Sequence, residues 1–429
     1  MTTEHQPAET EQAIRIHEKR NLLVLCAHQV MLRVAWIFKT ESVMMPAFLD
    51  TIGGSGWLRG CLPVLNRAGQ SIPPIYCADA LSSTPLKRRV LLKTTSLMGL
   101  PFITLALVWT NFHVSPPVWL PALFLALYLI FFVFTGLNQL TFATVQGKLI
   151  RPNRRGLLMG TAGILGSVAS ISCAWFLLRD WLTHDDQGFT HIFAFTGMGF
   201  LVAGLVTNFL FEPRDRHETP PRPAGMVAAW QLVQRDHDLR KLVVVSTLFV
   251  TSQLLMPHYQ ALGRRHSEWQ TSDLMTWVIA QNAGAAFFSL IAGLIADRFG
   301  NRLALRTQIL GTAVTPVAAL WLAEFSGGPT TYWPTFFLLG TLPTTFKTLV
   351  NYTLELTTPD QHPQYISTLK LTMLMPFFLS PLVGLLIDVT GFRAVFLSIA
   401  LLTLIGAGMT FRICEPRQKQ GPSGRSQAV

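Results

Sequence analysis

The chain is 429 residues long, 50% hydrophobic and only 13% charged, with a net charge of +11. Ordinary soluble domains carry about 25% charged residues, and single soluble cores stop growing near ~250–300 residues. The apolar excess, a mean hydropathy of +0.38, therefore excludes a soluble globular protein and requires lipid-facing surface. The surplus Lys and Arg belong to loops on the inner side of a membrane. They do not mark a nucleic-acid surface, because no basic-and-aromatic binding pattern accompanies them.

Residues 1–21 form a polar tail without the pattern of a cleavable signal. A spanning helix needs roughly 20 mostly apolar residues. Candidates follow near 22–48, 56–80, 90–112, 118–147, 156–179 and 190–211, and these six make a bundle over 22–211. A polar gap, 212–240, opens Pro-rich and charged, as a linker does. It continues as AGMVAAWQLVQRDHDLR, the pattern of an amphipathic helix lying at the inner membrane surface. Six further candidates lie near 241–262, 273–296, 303–325, 332–356, 366–388 and 392–413, a second bundle over 241–413, before a polar tail at 414–429. The expected fold is an all-α polytopic membrane protein with 12 transmembrane helices in two six-helix repeats. With both termini in the cytoplasm, 24 Lys and Arg fall on inner segments, five on outer loops and five within spans. That bias sets the orientation. The plasma (inner) membrane is the expected location.

The two halves share features at matching places. Asp79 and Asp297 each close the second span of their half, each after Ala. Gly188, Phe189 and Phe193 match Gly391, Phe392 and Phe396 at an offset of 203 residues, and the same offset joins Glu212-Pro213-Arg214 to Glu415-Pro416-Arg417. Internal repeats of this kind are common in secondary transporters. After span eight the chain reads GLIADRFGNR. A carboxylate at the inner end of a helix can hold basic loop groups or face a neighbouring helix N-terminus. Glycines allow a tight turn and close helix approach. Such contacts form in one conformation and break in another; alternatively, this is a basic turn with a structural Asp.

Twelve spans in two sixes, with this loop between spans eight and nine, resemble the major facilitator superfamily over roughly residues 20–415. The resemblance implies a loop of the form G-x-x-x-D-R-x-G-x-R after spans two and eight that braces the cytoplasmic gate. The second copy is intact in Gly293, Asp297, Arg298, Gly300 and Arg302. The first is eroded: position 75 is Ile, 80 is Ala and 82 is Ser, leaving Asp79 with Lys87, Arg88 and Arg89 beyond it. The resemblance also implies a central cavity lined by spans one, four, seven and ten, alternating access, and a sufficient monomer.

A charge at the bilayer centre costs ~2.5–3.5 kcal/mol on insertion scales, so it faces a cavity or a partner. Arg33 forms a stripe with Gln29, Trp36 and Thr40 on one helical face of span one. Arg67 lies midway along span two, near Asn66 and Gln70, and Lys347 lies in span ten with Asn351 four residues on. Lys39 and Lys370 sit near span ends, where they can snorkel. These cations suit an anionic or carboxylate-bearing solute, which Arg grips through two parallel hydrogen bonds; or each cation pairs internally to fix helix packing. Acids for such pairing are few: Glu41, Glu355, Asp388 and the loop aspartates. Glu41, near Lys39, is a candidate for coupling to protons or another ion if it is desolvated. His28 and His258 are titratable alternatives. Asn138, Gln139, Gln253, Gln281 and Asn282 either orient solute or join helices. No phosphate-binding loop, HExxH or dinucleotide motif is present, and the five cysteines include no CxxC. The chain is expected to hold no metal or cofactor and no catalytic residues, and not to be an enzyme. A non-transporting assembly factor or sensor on the same fold is the alternative.

Overall fold

The computed structural model describes residues 5–82, 84–183, 187–214, 226–265, 273–325, 331–357 and 361–415. The fold is all-α, and among the described residues nine helices are long and apolar enough to cross a membrane. They are span three (Lys87–Phe112), span four (Leu120–Leu149), span five (Arg154–Leu182), span six (Gly188–Phe209), span seven (His237–Gly263), span eight (Asp273–Phe299), span nine (Asn301–Glu324), span eleven (Gln364–Thr390) and span twelve (Phe392–Met409).

The other three spans fall short for local reasons. Span one is a helix, His5–Ile37, whose first half is the polar tail. The apolar run expected over 22–48 breaks at the polar cluster Lys39–Ser42 and resumes as a separate helix, Met44–Thr51. Span two, Gly56–Ser82, carries Arg59, Asn66, Arg67 and three prolines. Span ten is divided at Gly340 into Trp333–Leu339 and Thr341–Leu356. Spans seven and eleven are interrupted as well. A 3-10 stretch, Ser252–His258, holds Pro257, and another, Met375–Leu379, holds Pro376. Proline lacks the N–H an α-helix needs, so tighter turns take over there.

The chain folds as two compact units. Unit one comprises Met1–Thr40 and Leu65–Arg222; unit two comprises Glu41–Val64 and Pro223–Val429. The hairpin 41–64 thus packs with the second half of the sequence. In unit one, Phe102 and Phe131 meet edge to face with ring centroids 4.9 Å apart, and both rings reach Phe200. In unit two the start of span two lies backbone to backbone with span eleven: a Cβ on Gly384 would sit 2.0 Å from the Gly56 carbonyl oxygen. Asp388 completes the joint by accepting from the Gly56 and Trp57 N–H groups at 3.0 and 3.1 Å.

The amphipathic helix expected in the central gap is Met226–Arg235. Its apolar residues Leu232 and Val233 cluster with Leu239 and Tyr365, so they cover protein, and Trp230 is left exposed. Asp236 caps span seven by accepting from the Asp238 and Leu239 N–H groups, and its other oxygen accepts the Tyr365 hydroxyl at 2.6 Å.

Candidate functional site

On span one, Arg33 is exposed while Gln29 and Trp36 are half-buried. Gly166 of span five makes room for the Arg33 stem, since a Cβ there would lie 3.0 Å from Arg33 Cδ. Trp36 has a second role. The Lys39 ammonium lies 3.5 Å from its ring centroid and 4.7 and 4.5 Å from those of Phe131 and Phe132. Lys39 is fully buried, so it does not snorkel to an interface. The rings' negative faces offset part of its lost hydration.

Two polar networks join helices deeper in unit one. The Thr95 hydroxyl donates to Leu91 O, accepts from the Asn138 amide at 2.5 Å and lies 3.1 Å from His28 Nε2. Asn138 and His28 are both buried, and this network ties spans one, three and four together. The Gln139 amide donates to Gln70 Oε1 at 3.1 Å, and the Gln70 amide donates to Asn66 Oδ1. Arg67 is half-buried beside Asn66.

In unit two, Lys347 and Asn351 share the exposed face of span ten, and Thr344, Thr348 and Tyr352 share its buried face. Gln253 is buried in the 3-10 stretch. Gln281 accepts the Ser42 hydroxyl, and the Asn282 amide donates to Val278 O. Glu41 is half-buried in the break after span one.

The last turn of span eight leaves Asp297 and Arg298 exposed, and the helix face at Gly293 is open, with nothing within 4 Å of a Cβ there. Gly300 turns the chain at φ +92°, where a Cβ would strike the Glu415 carboxylate at 2.5 Å. Glu415 accepts from the Arg302 N–H at 3.2 Å, and the Arg302 guanidinium donates to Ile413 O. The side chain of Asp79 lies outside the described residues.

The glutamates of the two EPR sequences join helices, whereas sequence reading uses them only as repeat markers. Glu212 accepts from the Lys87 and Arg88 N–H groups at 3.0 and 2.7 Å and from Lys148 Nζ at 2.8 Å. Glu212 and Glu415 thus each cap the third helix of their bundle, spans three and nine, where the helix dipole favours an anion. Their shared offset was the available signal.

Two further clusters went unread. Glu18, inside the polar tail, accepts from the Arg151 backbone N–H at 3.1 Å and pairs with its guanidinium at 2.6 Å. The Arg151 hydrogen bonds hold the Glu18 carboxyl below its ordinary range, against the opposing effect of burial. Asp50 falls just past the expected end of span one and was not among the acids counted at span edges. It pairs with Arg59 at 2.5 Å, accepts from the Gln260 amide at 2.7 Å and lies 3.4 Å from Arg264. The Arg264 guanidinium titrates lower than usual because it is buried, with Asp50 opposing the shift.

No curated protein matches the sequence significantly. Solved structures do match in fold. A nucleoside transporter, NupG, superposes with a TM-score of 0.69 at 11% identity, over 91% of this chain and 98% of that one. A bacterial homologue of the human lysosomal transporter Spinster, inward-facing and unoccupied, gives 0.63 at 12% identity over 94% and 98%. The E. coli fucose:proton symporter FucP gives 0.58 at 13% identity over 92% and 98%. At such identities the likeness establishes the fold alone. The sequence profile of the Major Facilitator Superfamily matches residues 79–351 and 260–428, which together span most of the sequence. The chain belongs to the major facilitator superfamily of membrane transporters.

Proposed function

We propose that this protein is a secondary transporter that moves a small anionic or carboxylate-bearing solute by alternating access of two six-helix bundles, 22–211 and 241–413. Family membership supports transport. The charge preference rests on one observation: Arg33 keeps an exposed guanidinium on a membrane-spanning helix, where an unused charge is costly; Lys347 is proposed as a second cation of the same surface. Gln29, Trp36, Arg67, Gln139, Gln253 and Asn351 are proposed to shape the binding surface. Asn138 belongs to this set by depth, although its amide serves Thr95. Asp79, Gly293, Asp297, Arg298, Gly300 and Arg302 are proposed as the inner gate. Glu41 is the proposed coupling group for a proton, which is the ion named for the fucose symporter. The termini are proposed to be cytoplasmic, the membrane the plasma (inner) membrane and the protein a monomer.

The decisive experiment uses purified protein in proteoliposomes. Metabolite anions, nucleosides and sugars are first screened for thermal stabilisation, and the hits are then tested for flux. A stabilising anion that is transported by wild type and bound roughly tenfold or more weakly by Arg33→Ala is the expected result, because a charged hydrogen-bond pair contributes ~1.5–3 kcal/mol. Unchanged affinity in Arg33→Ala would sink the assigned role. The eroded loop at Asp79 favours a second reading, a non-transporting assembly factor or sensor, and flux of any solute excludes it.

A further inference from the structure

His258 is fully buried, and neither of its ring nitrogens has a hydrogen-bond partner among the described residues. It ends the 3-10 stretch of span seven, one residue after Pro257, at the end that the Lys and Arg bias assigns to the outside. Arg59 carries a positive charge close to the ring, and its Nε is likewise buried without an acceptor among the described residues. Arg59 and Arg264 share one carboxylate, Asp50, which also accepts from Gln260. This clasp ties the hairpin 41–64 to the end of span seven within unit two. The other titratable or charged groups on elements packed against this segment are Tyr259, whose backbone carbonyl accepts the Tyr332 hydroxyl, Asp388 on span eleven, engaged by Gly56 and Trp57, and Arg393 at the start of span twelve. Glu41 precedes the Met44–Thr51 helix.

The chemistry here is one-sided. A neutral imidazole leaves one ring N–H without an acceptor among the described residues but buries no charge. An imidazolium would add a cation beside Arg59, whose partner carboxylate, Asp50, already serves Arg264 as well, and neither ring N–H would have an acceptor among the described residues. Burying an unpaired charge is strongly disfavoured. Opening the clasp would expose the ring to water, where an ordinary imidazole takes up a proton between pH 5 and 8. We infer that His258 is a proton-binding site that controls the outer clasp: the clasp is closed when His258 is neutral and releases on proton uptake from the outside. The sign follows from linkage. The open state binds one more proton than the closed state, so lowering the pH raises the open-to-closed ratio by at most tenfold per pH unit. The inference rests on the transport reading only in making this proton a coupled one; the clasp itself needs no solute.

Hydrogen exchange of the intact protein in nanodiscs tests it, read at the backbone amides of 44–52 and 259–264 after the intrinsic pH dependence of exchange is divided out. In wild type, protection of both segments should fall together from pH 7.5 to 5.5, by up to tenfold per unit. His258→Gln and His258→Phe should hold protection flat, and Asp50→Asn should lower it at every pH. A wild type flat across that range overturns the inference even if no variant folds. So does the wild-type slope persisting in both His258 variants, or full protection in Asp50→Asn. Solute flux without pH-dependent exchange removes this inference and leaves the transport reading standing; pH-dependent exchange with no flux does the reverse.

Discussion

Three charged side chains placed in or near the membrane show how surroundings decide the role of a charge. Arg33 lies exposed over a glycine, Lys39 is enclosed by three aromatic rings, and Glu18 is buried against Arg151. Only the first keeps its charged group exposed. Sequence separated them poorly, because position along a span does not reveal which helix lies opposite: Lys39 looked free to reach an interface, and Glu18 looked like part of a solvated tail. Glu18 also carries a pH prediction. Its folded carboxyl titrates lower than usual, so its stabilisation is complete above the ordinary Glu value of about 4.3 and disappears as pH falls through the lower folded value. Thermal melts should therefore rank wild type above Glu18→Gln by a constant margin from pH 7 to 5, narrowing only below about 4. A margin that already closes near pH 6 would contradict this assignment.

Helix breaks are where element-level reading of the sequence failed. Apolar runs place most spans close to their helices, but the runs read as continuous. Span one stops at Ile37, span ten is divided at Gly340, and spans seven and eleven pass through 3-10 turns at Pro257 and Pro376. The proline cause was visible in the residues. The division at Gly340 was not, because it depends on close packing with span eight, where a Cβ on Gly340 would meet the Ala285 nitrogen at 2.2 Å. Two loop glycines with positive φ allow a direct comparison. Gly391, at φ +83°, has nothing within 4 Å of a Cβ, whereas Gly300, at φ +92°, faces the Glu415 carboxylate. A left-handed conformation costs a non-glycine residue ~1–2 kcal/mol, and displacing a buried carboxylate from its donors adds ~1–3 kcal/mol. Gly300→Ala should therefore lower the melting temperature clearly more than Gly391→Ala; equal shifts would mean that Glu415 swings aside freely.

For the whole molecule, the duplicated plan was legible because charge bias, hydropathy and repeated short sequences agreed on it. The arrangement of candidate site residues was not, since networks such as His28–Thr95–Asn138 depend on side chains far apart in sequence. The repeat also predicts a functional asymmetry. The intact loop at Asp297 sits beside the open helix face at Gly293, while the loop at Asp79 lacks the accompanying Arg and Gly. Asp297→Asn should slow uptake roughly fivefold or more, the low end expected for a coupling of 1–3 kcal/mol, and Asp79→Asn should slow it less. Equal initial rates in a transport assay would refute the asymmetry.

The paired glutamates carry the comparison one step further. Glu212 uses both oxygens and holds Lys148, whereas Glu415 keeps one buried oxygen without a partner among the described residues. The chain thus holds two corresponding joints, one fully tied and one left slack. Each half serves as a natural variant of the other, so the consequences of loosening a joint can be read within a single molecule before any substitution is made.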